Sequence, residues 1–178
     1  QVKERYPEMI FIGEVYDPNQ YRMYVESGFD YLYDKVGMYD CIRGVICGER
    51  SASSITHEWQ KVDDIRDHML YFLENHDEQR IASDFFVGNP WKGVPGMIVS
   101  ALLQQNPVMV YAGQEFGERG MDKEGFSGQD GRSTIFDYWT SDTVYKGFFN
   151  RDALTTDEKK LSLCLLYTSD AADEEDSV

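Results

Sequence analysis

With 32 acidic against 17 basic side chains in 178 residues, the chain carries a formal charge of −15. Such a balance repels nucleic acid and anionic membrane surfaces at long range, so neither is expected as a partner and the expected ligand is neutral. The length suffices for one ordinary domain with a sizeable core, and no run approaches the roughly 18 apolar residues of a membrane span.

Three cysteines, Cys41, Cys47 and Cys164, show no Cys-x-x-Cys spacing and cannot all pair, so they are expected to serve as small apolar residues. The chain opens on Gln1 with no apolar targeting segment before its first strand, so a longer parent protein is expected. Localisation is then not readable, and a secreted or periplasmic parent stays open.

The first strand is expected over Met9-Ile10-Phe11-Ile12, an apolar run leading into Gly13-Glu14-Val15-Tyr16 and so delivering a carboxylate at a strand end. Asp17-Pro18-Asn19 is turn chemistry, and Tyr21 to Ser27 reads as a short helix stopped by Gly28. Phe29 to Asp34 follows as the next strand, at the spacing of a strand-helix-strand unit. Val36 to Asp67 is expected to be mostly helical, with Ser51 to Ser54 as a polar break offering a cap before Ile55 to Val62. His57 and His68 stand apart from any second ligand cluster and are read as surface or packing histidines.

The central stretch is Met69-Leu70-Tyr71-Phe72-Leu73-Glu74-Asn75-His76-Asp77, an unbroken apolar run ending in four polar or ionisable side chains. Absence of alternation predicts a strand covered on both faces, as in a parallel sheet wrapped by helices. At the carboxyl end of such a strand the side chains leave the core and point into the mouth of the sheet. Arg80, in the turn that follows, either positions Asp77 or a neighbouring acid or forms a solvent-facing salt bridge.

Gly88-Asn89-Pro90 and Gly93 mark a loop, and Pro95 suits the first turn of a helix running to about Gln105. Pro107 opens the last strand, ending near Tyr111. From Gly117 to Asp142 the chain is rich in Gly, Asp and Ser, with Phe126, Phe136, Tyr138 and Trp139 scattered through it, and predicts a long functional loop over the mouth. Phosphate-cradling glycine patterns are lacking, so nucleotide binding is not expected. Thr155-Thr156-Asp157-Glu158 has the form of a capping box opening a final helix.

Glu14 within Gly13-Glu14-Val15-Tyr16, then Asn75-His76-Asp77, then the run from Pro107 to Gly117 together resemble the α-amylase family of glycoside hydrolases, family 13, over roughly residues 9 to 160. The resemblance implies an α/β fold, part of a (β/α)8 barrel containing roughly strands 5 to 8, in a domain over residues 1–163. It implies a retaining enzyme acting on α-1,4-linked glucans as the parent, with a transferase, a branching enzyme or a non-catalytic carbohydrate-binding relative as alternatives.

Within that reading Glu14 is the general acid and Asp77 the transition-state carboxylate, while His76, Asn75, Tyr16 and Arg80 contact substrate. Partial burial and a neighbouring carboxylate are expected to raise the pKa of Glu14. The 12 tyrosines and 3 tryptophans suit a sugar-binding cleft as well as they suit a core.

The family's nucleophile, the Asp of Gly-x-Arg-x-Asp, has no counterpart: Gly48-Glu49-Arg50 runs into Ser51-Ala52, and Gly117-Glu118-Arg119 into Gly120-Met121. The earlier Asp-x-x-x-Asn-His motif fails too, since Tyr71 stands where its Asp would be, and both motifs are expected upstream of Gln1. No cofactor is expected in this segment, and a structural calcium remains open for the parent. Finally, Cys164 to Glu174 resembles translated sequencing-adapter read-through, so residues 164–178 are expected to be a non-native acidic tail, disordered from Ser169.

Overall fold

The computed structural model describes residues 1–120, 130–133 and 141–174, with side chains described as far as 165. After a short helix α1 (Val2–Arg5), four strands follow: β1 (Ile12–Gly13), β2 (Tyr31–Tyr33), β3 (Met69–Phe72) and β4 (Val108–Met109). They form one sheet in the order β1-β2-β3-β4, and every pairing is parallel. Sequence order and sheet order coincide, and each connection between neighbouring parallel strands carries helix, as a parallel crossover requires.

The crossovers are α2 (Tyr21–Glu26), then α3 (Asp40–Ile46) with α4 (Ser53–Lys61), then α5 (Val94–Leu102). Gly28, at φ 100°, ends the α2 turn in a conformation that a side chain would strain. Pro95 sits in the first turn of α5, as expected. Between β2 and α3 the chain makes one π-helical turn, Lys35–Tyr39, capped by the Asp34 carboxylate accepting from the Gly37 amide at 3.1 Å.

Period-two alternation assigns the strand side chains to two layers. Leu32, Met69, Tyr71 and Leu73 enter a core with Tyr21, Met38, Ile42, Met97, Leu161 and Leu165, supplied by the helices. Leu70 and Phe72 face the other way, grouped with Tyr31, Tyr33 and Met109 and covered by Tyr39, whose ring stacks on Phe72 at 5.0 Å. The continuous apolar run of β3 is therefore buried on both sides, all four residues of it.

β1 corrects one expectation. Only Ile12 and Gly13 pair, and Met9, Ile10 and Ile12 are 45–62% exposed rather than buried. The reason is position: β1 is an edge strand, hydrogen-bonded on one side only. Gly13 is required there by close approach, since a Cβ would lie 2.9 Å from the Phe29 ring.

Two further helices close the described chain, α6 (Asp142–Phe149), which the sequence pattern did not single out, and α7 (Thr156–Glu174). The capping box forms: the Glu158 amide donates to Thr155 Oγ1 at 3.2 Å and the Thr155 amide to Glu158 Oε2 at 2.6 Å. The tail expected to be disordered is instead helical as far as Glu174. Leu161 and Leu165 bury one face of α7, and Ala171 and Ala172 are good helix formers, so the helix continues past the acidic change in composition. Of the long loop expected from Gly117 to Asp142, residues 121–129 and 134–140 lie outside the described residues, the four aromatics among them.

Candidate active site

At the carboxyl end of the sheet, Glu14 and Tyr16 follow β1, and Asn75, His76 and Asp77 follow β3. Alternation after Gly13 turns Val15 into the core and leaves Glu14 and Tyr16 outside. Tyr16 joins the two segments: its hydroxyl lies 2.7 Å from Glu14 Oε1 and 3.3 Å from Asp77 Oδ2. Its one proton serves one carboxylate at a time, Glu14 being the nearer, and the two carboxylate oxygens can be no further apart than those two distances laid end to end. Burial, then the two carboxylates, raise the pKa of the Tyr16 phenol, so it remains a donor throughout the ordinary pH range.

His76 Nε2 stands 3.6 Å from Asp77 Oδ1, and both side chains are partly exposed. Asn75 does otherwise than expected. It is 2% exposed, and its Oδ1 accepts from the Asp77 and Glu78 amides, both at 2.9 Å. That is an Asx-type turn directing the following two residues, and it turns the Asn75 carboxamide inward, away from any ligand on the surface.

Of the two readings of Arg80, the structure holds the pairing with a neighbouring acid, Glu74. Its side chain is wholly buried, which corrects both the solvent-facing salt bridge and the expected substrate contact. Nη1 donates to Glu74 Oε2 at 2.7 Å, Nη2 to the Ala112 carbonyl at 2.8 Å and Nε to Ser133 Oγ at 2.7 Å, while the guanidinium lies 4.2 Å from the centre of the Tyr111 ring. A guanidinium taken out of water demands that its donors be used, and a carboxylate six residues back supplies the charge. Burial pushes the Glu74 carboxyl up, with the Arg80 charge opposing, and Glu115 nearby is pushed up for the same first reason.

Glu14 is exposed, without the partial burial expected of it, because β1 lies at the sheet edge. Tyr33, half-buried on the face opposite the helices, has its phenol pKa raised by burial and, to a lesser degree, by the charge of Glu14. Arg132 Nε donates to the Asp77 carbonyl and its Nη1 pairs with Asp130 at 2.8 Å, so a distant segment also holds the turn. Neither Arg132 nor Glu74 was singled out from the sequence. Glu74 stood in the central stretch with a strand-end signal, whereas Arg132 had none. A depression of about 440 Å³ lined by Trp59, Arg66 and Asn106 lies beside the amino end of β3, away from this chemistry.

Among the described residues, no group of three or more His, Cys, Asp or Glu side chains could hold a metal ion. Cys41 lies in the core, as a small apolar residue would, and His68 Nδ1 packs against the Asp30 carbonyl at 2.9 Å. No described helix is long and apolar enough to cross a membrane.

Four parallel strands joined by helical crossovers define an α/β protein, with Glu14, Tyr16, His76 and Asp77 at the carboxyl ends of β1 and β3. The fold is similar to that of a cyclomaltodextrinase of known structure, with a TM-score of 0.58 and 14% identity over 94% of this chain. The chain spans 26% of that protein's length. No protein-family model matches the sequence, and no curated protein matches it.

Proposed function

We propose that this chain is part of a retaining glycoside hydrolase of the α-amylase kind, acting on α-1,4-linked glucans, with its four strands forming part of a (β/α)8 barrel. One observation carries the reading: a single hydroxyl, that of Tyr16, lies within hydrogen-bond distance of both Glu14 and Asp77, so carboxylates from two different strand ends face one place. The fold likeness to a cyclomaltodextrinase supports the same class.

In this reading Glu14 hands a proton to the leaving glycosidic oxygen, and the Tyr16 hydroxyl, already 2.7 Å away, stabilises the carboxylate left behind. Asp77 faces the positive charge that develops on the sugar ring, and His76 beside it donates to a sugar hydroxyl. The covalent step requires a further carboxylate, for which these 178 residues hold no Gly-x-Arg-x-Asp pattern.

Two measurements test the proposal. Maltoheptaose titrated into the 178-residue chain should perturb the ring resonances of His76 and Tyr16, and a response confined to other residues would remove the sugar reading. In the complete parent, Glu14→Gln should lower turnover by orders of magnitude, and near-normal turnover would remove the acid assignment.

A further inference from the structure

His76 and Asp77 lie on a loop that begins at Glu74 and ends at Arg80, and those two residues are ion-paired inside the protein. Each end is tied twice. Glu74 Oε2 accepts from the Arg80 guanidinium, and Glu74 Oε1 from the Ile81 amide at 2.7 Å; the Arg80 amide in turn donates to the Gly131 carbonyl at 2.8 Å. The remaining guanidinium donors reach Ala112, just after β4, and Ser133. One cation thus joins three separate stretches of chain around the loop, each acceptor reached by a different nitrogen of the planar arginine fork.

We propose that Arg80, through its pair with Glu74, is a positioning residue that fixes the loop presenting His76 and Asp77, touching neither side chain itself. That those two side chains meet sugar rests on the proposed function; the clasp does not. Inside the loop, Asn75 Oδ1 holds the Asp77 and Glu78 amides, and Arg132 holds the Asp77 carbonyl, so the backbone of Asp77 is gripped on both sides once the clasp has closed. A residue serving stability alone would be coupled equally to all parts of the sheet. A positioning residue is coupled first to this turn.

Amide hydrogen exchange in the 178-residue chain separates the two. Arg80→Lys keeps the buried charge and loses the fork. Exchange at the Asp77 and Glu78 amides should rise at least tenfold, while the Asp34 amide, bonded to the Leu70 carbonyl across β2 and β3, and the Tyr31 amide, bonded to Phe11, should be unchanged. A double variant, Glu74→Gln with Arg80→Gln, removes both charges together and should show the same local pattern if the lysine chain folds poorly. Unchanged exchange at Asp77, or an equal rise at Asp34 and Tyr31, in the variant that folds better overturns the proposal. With maltoheptaose as probe, Arg80→Lys should weaken binding at least tenfold with the sheet amides unaltered. Should the unaltered chain fail to bind maltoheptaose, the proposed function falls, and the exchange pattern still decides the clasp.

Discussion

The two faces of the sheet are made from the same kinds of residue and end in different states. On the helix side Leu32, Met69, Tyr71 and Leu73 are each at most 2% exposed, packed under α3, α5 and α7. On the other side Leu70 and Phe72 are as well buried, yet Tyr31, Tyr33 and Met109 around them are only half-buried, and the cover over Phe72 is the Tyr39 ring. Tyrosine tolerates this, having an apolar body and a polar tip. The Tyr33 hydroxyl meets Met109 Sδ at 3.4 Å, and the Tyr39 hydroxyl donates to Glu78 Oε2, next to Asp77, at 3.1 Å. The helix side is thus the stability layer, and the opposite side borders the candidate site.

That division can be broken by experiment. The largest effect should come from Met69→Ala, which opens a cavity in the fully buried layer and should lower stability by about 2–5 kcal/mol, read as a fall in the urea midpoint at constant slope. Tyr33→Ala should cost less than half as much. Equal costs would mean that the two faces are not energetically distinct.

Asp34 tests the layer in a different way. It lies just after β2, 1% exposed, and burial pushes its carboxyl from 3.8 up to about 6 despite hydrogen bonds from the Gly37 amide and Tyr21. Above about pH 6 both folded and unfolded chains carry the charge, and the burial cost is fully present. As the pH falls from about 6 towards 4 the folded chain takes up its proton first, so this group's contribution to stability improves. Asp34→Asn should remove that gain, and the variant should exceed the original chain in stability at pH 7 by on the order of 2 kcal/mol more than at pH 4. Parallel stability-against-pH curves for the two chains would contradict it.

A smaller effect is expected at α7, whose Leu161 and Leu165 belong to the helix-side core. Thr155→Ala removes half of the capping box and should lower stability by about 1 kcal/mol, by urea titration. Amide exchange at the Asp77 turn should not change with it, since α7 packs on the other layer. The smallest effect belongs to Tyr16→Phe. Tyr16 is 50% exposed, so its loss should move the urea midpoint by less than about 0.5 kcal/mol, and the expected change is weaker binding of maltoheptaose instead.

Much of the architecture follows from local pattern. The apolar run Met69 to Leu73 dictates a two-sided strand, the spacing of Tyr21 to Gly28 dictates a helix and its stop, and Thr155 with Glu158 dictates where α7 begins. These are short-range signals, and the helical segments between the strands call for parallel pairing, whereas which strand lies beside which is read from the sheet itself. By contrast α6 lies in a region where aromatic and polar residues obscure the period, and the helical continuation of α7 depends on Leu161 and Leu165 finding a core.

The site divides along the same line. Residue types and their order nominated Glu14, Tyr16, His76 and Asp77 from the sequence, since strand-end carboxylates and imidazoles are visible one strand at a time. What each residue faces was decided in three dimensions. The Tyr16 hydroxyl meets Asp77 across 61 positions and Arg80 meets Ser133 across 53, while the exposure of Glu14 reflects where β1 falls in the sheet. A charged residue in the turn after a strand can point outward to water or inward to a buried partner with the same local sequence. For Arg80 the choice was made by Glu74, Ala112 and Ser133 together, because only their combined acceptors offset the cost of taking its charge out of water.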